Sequence, residues 1–160
     1  MPFALTPALV PSRASRRAHA TRGGATSTPR SLSTSSVAGE HEAAPAHPLG
    51  LLCVQNGYVV SVPRWIQPSK QGVEIGALAT GEGDITDVGD DVSARHAHVW
   101  CDDQNVWYVE DLSSTNGTVV VNGATNVCTQ VEPGRSAQLN PGDELRLGES
   151  TTYAILLGAL

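Results

Sequence analysis

The sequence predicts an all-β protein, a sandwich of short strands, and three observations carry that prediction. Short runs rich in β-branched and aromatic residues alternate polar with apolar positions, as half-buried strands do. Turn signals such as Asn56-Gly57, Asn122-Gly123 and Asn140-Pro141-Gly142-Asp143 separate these runs at a spacing of roughly ten residues. No window carries a convincing helical period, so the pattern is that of a β-sandwich.

Taken in order, residues 51–55 and 58–62 flank Asn56-Gly57 and read as a hairpin. Residues 63–70 hold two prolines and no periodicity, so they read as a connection. A short strand over 72–76 leads into a Gly-rich loop over 77–83, and residues 84–88 are a further strand candidate. Residues 96–101 alternate, turn at Asp102-Asp103-Gln104-Asn105, and continue into the strand around Trp107. Strands are then expected at 118–121, 127–131, 137–139, 144–147 and 151–157.

A chain of 160 residues, 40% of them hydrophobic, has room for one ordinary domain and a tail. Residues 1–49 hold five arginines against Glu40 and Glu42, a balance of +3 that leaves −9 for the remainder of a chain whose net charge is −6. The stretch before Pro48 is mostly Ala, Gly, Ser, Thr, Pro and Arg, too poor in apolar surface to offset its chain entropy. Residues 1–48 are therefore expected to be a disordered Ala/Ser/Arg-rich tail, with His41 and His47 solvated, and residues 50–160 the folded domain. The scarcity of acids in the tail also fits an organelle transit peptide, the alternative to a cytoplasmic protein. No run is long enough to span a bilayer, and arginines spread without aromatics make a weak nucleic-acid footprint, so neither membrane nor nucleic acid is an expected partner. Cys53, Cys101 and Cys128 are an odd, widely spaced set, which fits thiols in a reducing compartment.

One stretch exceeds what a turn requires. Asn116-Gly117 alone supplies a tight turn between strands, but Asp111-Leu112-Ser113-Ser114-Thr115 precedes it with further hydroxyl and acidic groups. A cluster of that kind at a loop tip is suited to polar recognition. Upstream, Asp91-Val92-Ser93-Ala94-Arg95-His96-Ala97-His98 is a second polar stretch.

Together with Gly76, Asp84-Ile85 and Pro141-Gly142-Asp143-Glu144-Leu145-Arg146-Leu147-Gly148, these stretches form an ordered set that resembles the landmarks of the forkhead-associated (FHA) domain. The resemblance covers roughly residues 50–160. It implies an FHA/SMAD-like sandwich of about eleven short strands, without catalysis or cofactor, that grips a phosphothreonine of a partner protein such as a Ser/Thr kinase or its substrate. By resemblance, Ser93 and Thr115 donate to the phosphate, Asn116 holds the peptide backbone, and His96, Gly76 and Gly117 support the site.

The chain departs from the family at two places. The family's Gly-Arg pair is Gly76-Ala77 here, and the polar or basic residue that usually follows the serine is Ala94. Each charged hydrogen bond forgone is worth about 1.5–3 kcal/mol, so the resemblance implies weak binding, with Arg95 the one arginine left inside the motif and Arg64 and Lys70 the next candidates. The alternatives are a phospho-independent scaffold with the same fold, or an enzyme. For the latter, His96, His98 and Cys101 would be the metal ligands, and Ser93, His96 and Asp111 the hydrolytic set.

Overall fold

The structure, a computed structural model, describes residues 45–160; the expected disorder of residues 1–44 lies outside the described residues. None of the described residues is helical. Eleven strands follow one another: β1 Leu49–Gln55, β2 Tyr58–Val59, β3 Arg64–Ile66, β4 Val73–Ile75, β5 Ala97–Cys101, β6 Trp107–Asp111, β7 Thr118–Val121, β8 Cys128–Val131, β9 Ser136–Leu139, β10 Glu144–Leu147 and β11 Thr151–Leu157. One sheet has the order β2-β1-β11-β10-β7-β8, with β3 also on β1, and the other has the order β4-β5-β6-β9. Every strand pairing is antiparallel.

Alternation in the sequence becomes two-faced burial. In β5 and β6, Ala97, Val99, Cys101, Trp107, Val109 and Asp111 point inward while the residues between them are half-buried. Leu49 and Leu51 of β1, Ile75 of β4, Leu145 and Leu147 of β10, and Tyr153 and Ile155 of β11 meet them in one apolar core. Each of these large side chains contributes about 1.5–3 kcal/mol on leaving water, so the sandwich is held chiefly by its filling. The Asn56-Gly57 turn takes positive φ at both residues, 51° and 79°, as a two-residue hairpin between twisted strands requires.

Three expectations are corrected. Residues 64–66 of the proline-bearing connection form strand β3, because Pro63 sits just before it and β1 offers a free edge. Residues 84–88 form no strand; Ile85 makes a single parallel bridge to Ile75 and is buried beside it. His47 is half-buried rather than solvated: its Nδ1 lies 3.0 Å from the Gly158 carbonyl, and its own carbonyl accepts the Trp107 indole N–H at 3.3 Å.

The loop over 112–117 does not close a hairpin. It leaves β6 in one sheet and enters β7 in the other, so the Ser/Thr/Asn cluster lies on a crossover at one end of the sandwich.

Candidate functional site

A crossover between sheets has no ladder partner to fix it, and side chains fix it here. Asp111, 2% exposed at the end of β6, accepts from the Ser114 amide at 3.0 Å, the Ser114 hydroxyl at 2.6 Å and the Thr118 hydroxyl at 2.6 Å. Burial pushes its carboxyl upward, but the hydroxyl bonds from Ser114 and Thr118 outweigh burial and hold it below the usual carboxylate range. Ser114 Oγ in turn accepts the Gly117 amide at 3.0 Å. Ser113 and Gly117 carry the positive φ values, 63° and 81°; Asn116 does not, so its place in the turn leaves its side chain free to serve another purpose.

His96 joins this crossover to the loop that precedes β5. Fully buried, it accepts the Ser93 backbone N–H through Nδ1 at 3.1 Å. Nε2 must then carry the ring proton, and it donates to the Gly117 carbonyl at 3.0 Å. Its backbone carbonyl also accepts from Leu112 N–H at 2.9 Å. The result places Ser93 Oγ against the crossover, where it accepts from the Thr115 amide at 3.0 Å and lies 3.5 Å from the Thr115 hydroxyl. Asn116 Nδ2 donates to the Asp91 carbonyl at 2.8 Å, leaving its Oδ1 and second N–H uncommitted by this bond. Ser93, Thr115 and Asn116, expected to act together, are thus brought together, with His96 and Gly117 as their supports.

Gly76 supports the same site from the other side. A Cβ there would sit 2.4 Å from the Ala94 carbonyl oxygen, so only glycine lets the two loops approach. Ala77 N–H donates to Ser93 O at 3.1 Å and Leu78 N–H to Ala94 O at 2.9 Å. The exposed Ala77 side chain is therefore a neighbour of Ser93 and brings no charge to it.

Arg95 is not part of the Ser93, Thr115 and Asn116 network. Its Nε donates to Glu74 Oε2 at 2.7 Å, and its terminal nitrogen to Glu74 Oε1, a forked ion pair. Hydrogen bonding to this guanidinium holds the Glu74 carboxyl below its ordinary value. Lys70 pairs with Asp103 at 2.5 Å, and Arg64 lies on β3, paired to β1 rather than to the site loops.

Two further carboxylates shape the site. Asp91 accepts from the amides of Glu149 at 2.5 Å and Ser150 at 2.8 Å and from the Ser150 hydroxyl; the hydroxyl bond is the main reason its carboxyl falls to about 2. Asp84 accepts from the amides of Glu74 at 2.8 Å and Gly81 at 2.5 Å, which fixes the Gly-rich loop. Asp111 to Ser114 is a local turn that its spacing makes legible. Asp91 to Ser150 spans 59 positions and has no signal in the sequence.

The enzymatic alternatives meet a different geometry. His96 Nδ1 is occupied by the Ser93 amide rather than by its hydroxyl, and Asp111 is bonded to Ser114 and Thr118 rather than to His96, so no relay links the three. His98 diverges from His96: its Nε2 lies 2.8 Å from Gln71 O and its ring stacks on Trp100. Among the described residues no group of three His, Cys, Asp or Glu side chains is placed to hold a metal.

Known proteins share this architecture. Residues 73–148 match the FHA domain family model. An FHA domain-containing protein of Arabidopsis thaliana is 32% identical over 84 residues, which are 52% of this chain and 19% of the relative, so the chain spans only a small part of that protein's length. The FHA domain of an Arabidopsis thaliana hypothetical protein superimposes with a TM-score of 0.56 at 24% identity, over 72% of this chain and 89% of that one. Mycobacterium tuberculosis EmbR, in complex with a low-affinity phosphopeptide, superimposes with a TM-score of 0.51 at 21% identity, over 71% of this chain and 25% of that one. The sandwich, the paired loops at its end and the family match agree: residues 73–148, a little under half of the chain, match the forkhead-associated domain family.

Proposed function

We propose that this domain is a non-catalytic interaction module that recognises a phosphothreonine-containing segment of a partner protein and binds it weakly. One observation carries the reading: Ser93, Thr115 and Asn116, from two loops, are gathered at one end of the sandwich and cross-braced by a fully buried histidine. Two hydroxyls are donors suited to phosphate oxygens, and a side-chain amide is suited to a peptide backbone. The complex of EmbR with a phosphopeptide supports the reading by likeness of fold.

Arg95 joins the ligand on this reading. Its side chain is 64% exposed, so solvent screens the ion pair that holds it to Glu74. A charged hydrogen bond to phosphate is worth about 1.5–3 kcal/mol, so a phosphate within reach competes successfully with Glu74. Weakness follows from Ala77 and Ala94, which offer no donor side chains beside Ser93. We place the domain in kinase-linked signalling and in the cytoplasm, where the free thiols of Cys53, Cys101 and Cys128 remain reduced.

The test is a titration of the full chain with a phosphothreonine peptide library and matched unphosphorylated peptides. Selective binding of the phosphorylated set, abolished by Ser93→Ala and by Asn116→Ala, is the expected result. Equal binding of both sets would establish the second reading, a phospho-independent scaffold, which the uncharged Ala77 and the Glu74-bound Arg95 favour; no binding of either set would overturn the phosphothreonine reading.

A further inference from the structure

The larger sheet is apolar on its outward face as well as on its core face. Leu52 and Val54 of β1 alternate with the buried Leu49 and Leu51 and so turn away from the core. Across the strands Leu52 lies beside Ala154, Val54 beside Val59, and Gly50 beside both Leu156 and Trp65. Val59 is 60% exposed and Trp65 48%. The indole is nevertheless seated: a Cβ on Gly50 would lie 2.6 Å from the ring and one on Gly158 3.1 Å from it, so two glycines make room for Trp65 against the sheet. A large, fixed aromatic side chain left half in solvent is the type that anchors protein interfaces.

Charge decides what such a face can meet. Residues 50–160 carry a net charge of −9, yet among the described strand residues that this sheet turns outward only Glu144 and Arg146 are charged, and they pair with each other at 2.8 Å. The rest of the domain therefore holds the whole excess of carboxylates, and this face is where a second copy approaches without repulsion. The two charges are also self-complementary. Leu145, Tyr153 and Cys53 form one cross-strand row, which Glu144 and Arg146 straddle. A two-fold axis running across the strands at that row sets Glu144 of each copy against Arg146 of the other, and Leu52 of each against Val54 of the other. Each strand residue covers about 3.3 Å by 4.8 Å of a sheet. The seven strands then cover roughly 500 Å² on each copy and about 1,000 Å² on two, the lower bound of a specific interface.

We propose that the outward face of this sheet is a homodimer interface, two copies stacking sheet on sheet with Trp65 as the anchor and Glu144 and Arg146 exchanged across the axis. Its small area makes the dimer weak, with a dissociation constant in the micromolar range. The face includes none of Ser93, Thr115 and Asn116, so the interface stands whether or not those residues bind phosphothreonine.

Sedimentation velocity of the full chain across the micromolar range tests it, and a reversible shift from monomer to dimer with rising concentration is the expected result. Trp65→Ala should weaken the dimer at least about tenfold. Glu144→Arg and Arg146→Glu should each weaken it about tenfold as well, because each sets two like-charged pairs across the axis. An equimolar mixture of these two variants should associate about as tightly as the unaltered chain, a rescue that a pair acting only within one copy would not give. A monomer at every concentration, self-association unchanged in Trp65→Ala, or a mixture no tighter than the variants alone would each overturn the proposal. A chain that stays monomeric and sediments with phosphatidylcholine vesicles would overturn it in favour of a lipid surface. Should Trp65→Ala not fold, the two charge variants, both at exposed positions, decide the matter.

Discussion

The two loops that flank Ser93 are held in opposite ways. The crossover over 112–117 is wired by side chains: Asp111 gathers Ser114 and Thr118, Ser114 gathers Gly117, and His96 bolts Gly117 to the Ser93 loop. The facing segment over 76–78 is held by backbone bonds to Ser93 and Ala94 and by the close approach that Gly76 permits, and Ala77 presents no functional group. One loop carries both fixed geometry and polar groups; the other carries only fixed geometry. The difference teaches that the shape and the charge of such loops are separable, because shape rests on buried partners such as His96 while charge rests on exposed side chains that packing does not require.

The comparison breaks most severely at His96. His96→Ala removes a buried ring and two hydrogen bonds, one local to Ser93 and one to Gly117 across 21 positions, and is expected to lower stability by about 2–4 kcal/mol. Thermal unfolding measures that loss, and phosphopeptide titration at a temperature where the variant remains folded measures the accompanying loss of binding. Unchanged affinity in the folded variant would show that the wired loop does not need its bolt.

Two changes sharpen the bare side. Ala77→Arg places a guanidinium beside Ser93, and a gain of one charged hydrogen bond should raise phosphopeptide affinity about tenfold without altering binding of unphosphorylated peptides. Calorimetry on both peptide sets reads the difference; no gain would mean that the 76–78 segment lacks the geometry as well as the charge. Glu74→Gln should act in the same direction and by less, about twofold to fivefold, because the pair it breaks is screened by solvent and holds Arg95 only loosely.

The smallest expected effect is on pH. Asp91 stands behind both sides, its carbonyl holding Asn116 and its carboxylate holding residues 149 and 150. Its folded value of about 2 lies below its ordinary 3.8, so its stabilising contribution is fully present above the ordinary value and is lost as pH falls through about 2. Amide exchange at Glu149 and Ser150 should accelerate over that window and should already be fast at neutral pH in Asp91→Asn. Exchange indifferent to both would remove Asp91 from the account of the site.

Much of this was legible in the chain, and the reasons are local. Alternation over the residues of β5, β6 and β11 declared their two faces, and Asn56-Gly57 declared its hairpin, because side-chain direction and turn dihedrals depend on immediate neighbours. The ordered landmarks from Gly76 to Gly148 marked Ser93, His96, Thr115, Asn116 and Gly117, which the fold then gathers. Residues 64–66 are not legible as a strand, because three residues in a segment with two prolines show no periodicity, and Pro63 stands just ahead of the strand rather than inside it.

What sequence by itself determined, then, is the fold class, the strands with strong alternation and which candidate residues the two loops carry. Only the tertiary structure decided that the 112–117 loop crosses between sheets, that Arg95 is spent on Glu74 across 21 positions, that Asp91 reaches Ser150 across 59, and that the buried Tyr153 hydroxyl finds no partner among the described residues. The physical reason is range. Dihedral preference and periodicity are properties of a few consecutive residues, whereas the partner of a charge or a buried hydroxyl is set by which distant segments the core brings side by side.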